Sequence, residues 1–141
     1  MKTTLISKNK INKILRIKSK TGNRSLQLSS LFTTSDFLQF NIIEDKKSNN
    51  KPEIHVREGD LFYCLKGQVD FICGGILSNG KNLKHPNGQR NIYELTGSDI
   101  KNGTYYNLKA GDWLWIPPNT PHQHNSTTLA NLIIIKIRYK I

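Results

Sequence analysis

The stretch Gly111-Asp-Trp-Leu-Trp-Ile-Pro-Pro-Asn-Thr-Pro-His-Gln-His124 decides how the chain is read. Trp113 to Ile116 is a short aromatic and β-branched run, and Pro117-Pro118 stops it because proline brings no amide to a ladder. The proline turn then delivers His122 to the start of the next strand. His124, two residues later, points the same way. A second stretch, Glu53-Ile-His-Val-Arg-Glu-Gly-Asp60, has the same character. Glu53 and His55 are two apart on an extended segment and share a face. Asp60 then opens another strand, with Phe62 and Cys64 on its side. If the two stretches meet inside one barrel, two histidines and a carboxylate surround one point. That donor set suits iron, manganese, nickel or zinc.

Working outward, strand signals dominate. Residues 37–43, led by Phe37, are aromatic and β-branched, whereas 44–51 are polar, run into Pro52 and read as a loop. Residues 61–65 and 68–73 flank Lys66-Gly67, a two-residue hairpin signal. Pairing about that turn would set Phe71 opposite Phe62 and Cys73 opposite Asp60, near the site. Residues 132–141 alternate, with Ile133, Ile135, Ile137, Tyr139 and Ile141 on one face and Lys136, Arg138 and Lys140 on the other. This is the pattern of a sheet with one face in a core and one in water. Residues 76–107 are rich in Gly, Asn, Lys and Ser and hold no period. They read as a long loop insertion over the site, with one short strand at 91–95. A helical spacing at Ile11, Ile14, Leu15 and Lys18 competes with alternation through 14–18 and shows no cap. Many short strands punctuated by Gly and Pro make the fold class all-β, a barrel or sandwich.

Composition bounds the rest. At 141 residues one domain is expected. No run reaches the ~20 apolar residues that span a bilayer. The first seven residues lack an apolar signal region, so a cytoplasmic protein is expected. Cys64 and Cys73 have neither disulfide-scaffold nor zinc-ribbon spacing and read as buried thiols. Lys+Arg exceed Asp+Glu by 21 − 10 = 11. Lys2, Lys8, Lys10, Lys13, Arg16, Lys18, Lys20 and Arg24 lie in residues 1–35 with no acid among them. That arm has no interleaved aromatics on which bases would stack, which argues against a nucleic-acid site and for a solvated basic segment.

The two histidine stretches resemble the paired motifs of the cupins, small barrels of the double-stranded β-helix type related to jelly rolls. The first cupin motif is matched as Glu53-x-His55-x4-Asp60-x6-Gly67, the second as Gly111-x5-Pro117-x-Asn119-x2-His122-x3-Ser126. The departures are Glu53 for the first histidine, Asp60 for glutamate, Asn119 for a turn glycine and Ser126 for asparagine. Asn tolerates the left-handed conformation that the turn needs. The resemblance covers 37–141 as a cupin β-barrel. It leaves 1–36 as a basic N-terminal arm, with a strand of that arm packed on a partner as one arrangement. It implies a homodimer.

Carried over residue by residue, the resemblance implies a divalent metal (Fe, Mn, Ni or Zn) held by Glu53, His55, Asp60 and His122. Asp60, one methylene short, reads as a ligand or as an acceptor behind the ligands. Glu53 reads as ligand, general base, or both in turn. His124 is expected beside Glu53 as a catalytic or hydrogen-bonding residue rather than a fifth ligand. Phe62, Cys73, Arg90 and Trp115 are the expected substrate pocket, and Tyr93 and Glu94 could anchor a polar group. His85, Glu58 and Asp112 read as solvated. The implied activity is a metal-dependent oxidation, dioxygenase-like, or an isomerisation or lyase reaction on a small organic substrate. The alternative is a sensor or binding module without turnover, which the Glu53 exchange favours. A third reading places an anionic surface against the basic arm.

Overall fold

The computed structural model describes residues 5–26 and 38–139. Phe37, Lys140, Ile141 and the remaining ends of the arm therefore lie outside the described residues. Among the described residues no helix is long and apolar enough to cross a membrane.

The first elements among the described residues are a helix, α1 (Lys8–Leu15), and a strand, β1 (Gly22–Ser25). The helix does have a cap: the Ser7 hydroxyl accepts from the Lys10 amide at 3.3 Å. A helix this short is marginal alone. Here Ile6, Ile11, Ile14 and Leu15 pack against Leu26, Ile42 and Ile133, and tertiary burial supports what local pattern left open. β1 pairs antiparallel with β2 (Leu38–Asn49) of the same chain, from Gly22↔Lys46 to Ser25↔Ile43. Residues 44–49, expected as loop, are thus strand. Their polar side chains misled the reading, because their backbone is held between β1 and the last strand.

Next come β3 (Glu53–His55), β4 (Glu58–Lys66) and β5 (Gln68–Cys73). Lys66-Gly67 does join two strands, but they do not pair with each other. β4 pairs with β11 (Trp113–Ile116) and β12 (His122–Arg138), whereas β5 pairs with β10 (Thr104–Lys109) and β12. Phe62 therefore faces Leu114 and Ile134 in the ladder, and Phe71 faces Tyr106 and His124. The two rings meet instead across the interior, with centroids 5.0 Å apart. The turn can diverge so sharply because Gly67 has φ +76° and sits against Leu129, whose carbonyl oxygen would be 2.3 Å from an added Cβ.

The insertion is not a loop. β6 (Ile76–Ser78) pairs with β9 (Asp99–Lys101), and β7 (Lys81–Lys84) pairs with β8 (Arg90–Thr96). β8 also pairs with β3, setting Glu94 opposite His55. These strands are too short, and too often broken by positive-φ turns at Asn79, Gly88 and Asn102, to accumulate a readable period.

β12 is the spine. Its first residues lie between β5 and β3, and its last between β2 and β4. A bulge between Ser126 and Leu129, opposite the positive-φ Lys47, lets it pass from one face of the barrel to the other. Its inner face carries Ala130, Leu132 and Ile134, which join Phe62, Cys64, Val69, Phe71, Leu108 and Ile116 in the main core. This corrects the expected two-face pattern. Ile133 and Ile135 pack under α1 in a second cluster, and Lys136 lies on the interior face rather than in water. Trp113 and Trp115 are on the outside of β11 and are 57% and 41% exposed.

Candidate metal centre

The site assembles where three strands meet. Pairing of His122 with Glu53 brings the start of β12 beside β3, and pairing of Asp60 with Lys136 brings in β4. The proline turn ties the two motifs together: Asn119 adopts φ +61°, and its amide donates to the His55 carbonyl at 2.9 Å. The same turn orients His122, whose Nδ1 lies 2.9 Å from the Thr120 carbonyl oxygen. That contact assigns the proton to Nδ1 and leaves the Nε2 lone pair facing the interior.

Glu53, His55, Asp60 and His122 all converge. Glu53 Oε1 is 3.6 Å from His55 Nε2 and 3.5 Å from His122 Nε2. Asp60 Oδ2 is 3.4 Å and 3.5 Å from the same two nitrogens. Ligand atoms of Glu53, His55 and His122 lie within 4.8 Å of one another. His55 and His122 are buried and Asp60 is 1% exposed, whereas the Glu53 side chain is 37% exposed and forms the open edge. Asp60 Oδ2 and His122 Nε2 are buried without a hydrogen-bond partner among the described residues. Burying such atoms unpaired costs about 1–3 kcal/mol each, so a native fold keeps them for a reason.

Glu94, expected as an anchor for a polar group, and Lys136, expected on the solvent face, complete the surroundings. Glu94 Oε2 meets His55 Nδ1, the carboxylate–imidazole arrangement that fixes the ring and raises its basicity as a ligand. Lys136 Nζ lies 2.9 Å from His55 Nε2 and 3.2 Å from Asp60 Oδ1. Its parity with Leu132 and Ile134 was the available signal. Glu58, expected in solvent, is mostly covered; it bonds Arg138 Nε at 2.6 Å and lies 3.8 Å from Lys136.

The electrostatics follow from this crowding. Burial alone would raise the Glu53 carboxyl, but His122 and His55 overcome that and hold it far below its ordinary range. Asp60 is also lowered: burial opposes ionisation, while His122 and Lys136 favour it. Burial would discharge His55; Glu53 and Glu94 push the other way and raise it, with the Lys136 charge opposing them. His122 is raised in the same way, by Asp60 and Glu53 against burial.

The other expected site residues lie elsewhere or beside the cluster. His124 stacks on Phe71, and its Nδ1 is 2.7 Å from Asp45 Oδ2. Phe62 is in the main core, against Phe71 and His124. Cys73 stands beside His122 through the β5–β12 ladder, not through Asp60, and burial pushes its thiol up to about 11. Arg90 is exposed at the start of β8 and bonds Asn82, and Trp115 covers Gly59 from outside; neither reaches the cluster. Tyr93 carries the Arg57 guanidinium over its ring at 3.7 Å. His85 and Asp112 are exposed.

The donor set is two imidazoles and two carboxylates, hard to borderline in character, which fits a first-row divalent cation and not a thiophilic one. The unpaired Asp60 and His122 atoms are what such a cation would satisfy.

No protein-family model matches the chain, and no curated protein matches it. Solved structures do match its fold. A sugar phosphate isomerase from a cupin superfamily of Silicibacter pomeroyi aligns with TM-score 0.54 at 14% identity, covering 84% of this chain and 60% of that one. The chain thus spans less than two thirds of that protein. A cupin-2 domain containing protein from Shewanella frigidimarina aligns with TM-score 0.55 at 12% identity, covering 91% and 92%. KdgF from a Halomonas species aligns with TM-score 0.53 at 12% identity, covering 84% and 80%. Likeness at such low identity speaks to the fold, and together with the ladder described above it establishes that this chain has a cupin-type β-barrel fold.

Proposed function

We propose that the chain is a metal-dependent enzyme that oxidises or isomerises a small oxygen-bearing organic substrate. Glu53, His55, Asp60 and His122 would hold the metal. The observation that carries this reading is the convergence of Asp60 Oδ2 and His122 Nε2, buried and unpaired, on His55 and Glu53. A divalent metal bound there supplies Lewis-acid polarisation of a substrate oxygen or a site for oxygen activation.

The chain's own residues do the rest. His55 and His122 present Nε2, each fixed through its Nδ1 by Glu94 and by the Thr120 carbonyl. Glu53 is the exposed member, so a substrate meets its carboxylate first. As the exposed carboxylate of the set, Glu53 is placed to take a proton from a carbon or hydroxyl of the substrate and return it to a neighbouring atom, which is the chemistry of isomerisation. Phe62, two residues along β4 from Asp60, and Ile116, the ladder partner of Asp60, belong to the apolar core.

The test is metal content of protein purified without chelator or histidine tag, beside a His55→Ala/His122→Ala double variant. About one equivalent in the parent and none in the variant is expected for one four-ligand site. Absence of metal from the parent after reloading with iron, manganese, nickel and zinc would overturn the reading. Metal without turnover on any screened substrate would leave a binding module.

A further inference from the structure

Among the described residues, Lys136 is the lysine whose charged end points into the ligand cluster. It follows Leu132 and Ile134 on the inner face of β12, so strand parity, not side-chain wandering, puts it there. Its ammonium is 2.9 Å from His55 Nε2 and 3.2 Å from Asp60 Oδ1. His55 Nε2 is also one of the nitrogens on which the ligand set converges. An imidazole nitrogen has one lone pair. It accepts a hydrogen bond from Lys136 or donates to a metal, never both. Two cations within a few ångströms of each other in a poorly solvated pocket also repel strongly.

We infer that Lys136 is a tethered competitor for the metal. Its ammonium neutralises the carboxylates of the metal-free barrel, and it must leave His55 before a divalent cation can bind. The inference rests on the metal reading and adds regulation of affinity to it. The molecule supplies a place for the displaced charge. Glu58 Oε2 is 3.8 Å from Nζ in the present position, on the neighbouring strand. The Lys136 side chain is 24% exposed, which gives it room to turn toward Glu58. Arg138 already bonds the other oxygen of Glu58, so the carboxylate is held in place to receive it. A site built this way takes up metal only when the free concentration is high enough to displace an internal charge.

The experiment is zinc and cobalt binding to the full chain at one fixed pH, by competition with a chromophoric chelator. It compares the parent, Lys136→Met and Lys136→Gln. Both variants keep much of the stem and lose the charge, and Gln serves if Met fails to fold. The expected result is metal binding tighter by about tenfold or more in the charge-free variants, with a melting temperature below the parent's when metal-free. The cobalt visible spectrum should keep its shape, since the ligands are the same. Unchanged or weaker binding in Lys136→Met, with the parent still loading one metal that His55→Ala/His122→Ala loses, would overturn this inference and leave the proposed function standing. No metal in the parent or in either Lys136 variant would overturn both.

Discussion

Two buried histidine–carboxylate arrangements lie side by side in this barrel, and they differ in whether they are closed. His124 Nδ1 meets Asp45 Oδ2 at 2.7 Å, the ring stacks 5.3 Å from Phe71, and Asn50 Nδ2 bonds the His124 carbonyl at 2.7 Å. Asp45 is fully buried, and Asn50 approaches its other oxygen at 3.4 Å. Around His55 and His122 the ligand atoms of the four groups converge yet stay 3.4–3.6 Å apart, and Asp60 Oδ2 and His122 Nε2 have no hydrogen-bond partner among the described residues. Burial and a nearby carboxylate therefore do not distinguish a site from a structural pair. Unspent donor capacity does.

The sharpest way to break this distinction is the double replacement of His55 and His122 by alanine. It should abolish metal binding outright, while a parallel His124→Ala protein keeps about one equivalent, because only the first pair belongs to the ligand set. Elemental analysis of the two purified proteins decides it. If His124→Ala also loses its metal, the closed pair is part of the centre after all.

The converse effect falls on stability. Asp45→Ala removes the near partner of a sealed pair and leaves His124 Nδ1 only the longer 3.3 Å contact with Asn50 Nδ2, and losing a buried hydrogen-bond partner costs about 1–3 kcal/mol. Chemical denaturation should show that loss, and metal stoichiometry of the folded fraction should not change. A Glu94→Gln protein should behave in the opposite way. The fold loses little, because Glu94 is partly exposed. Its bond to His55 Nδ1 orients a ligand, so metal affinity should fall about 10–100-fold. Titration against a chelator reads that change. A stability loss without an affinity loss would show that Glu94 only braces the β3–β8 ladder.

What was legible in the chain divides along a related line. Local signals were readable: Trp113–Ile116 ending at Pro117, Asn119 in a left-handed turn, and the spacing that puts Glu53, His55, Asp60 and His122 on two short segments. Features created by distant pairing were not. Residues 44–49 are strand only because β1 and β12 flank them. Phe62 and Phe71 meet across the barrel rather than across a hairpin, since a two-residue turn does not reveal that its strands part company. Glu94 reaches His55 through a ladder between segments 39 residues apart. Lys136 looked like the wet side of an alternating strand because both faces of β12 are covered along most of its length, and alternation alone cannot say which one encloses the site.

A third buried carboxylate calibrates the other two. Glu44 has a side chain only 3% exposed, but its partner is Arg24 at 2.8 Å, with the Lys20 amide at 3.0 Å, and no imidazole is involved. Burial would raise its carboxyl, and the Arg24 bond, the Lys20 amide and the Arg24 charge together bring it below its ordinary 4.5. A carboxylate lowered on folding contributes stability that is fully present above about 4.5 and is lost as pH falls through the lower folded value. Glu44→Gln should therefore cost about 1–2 kcal/mol at neutral pH and progressively less in acid. Parent and variant denaturation midpoints should draw together below pH 4.5. Because Arg24 stays charged throughout, Glu44 is the only group of this pair that titrates there. The arm that it holds, β1 and through it α1, should loosen first on acidification. Hydrogen exchange of the β1 amides at pH 3, compared with those of β12, would show it. Equal protection of the two strands at that pH would mean that the arm is held by its apolar contacts with Ile42 and Ile133, and that the ion pair adds little.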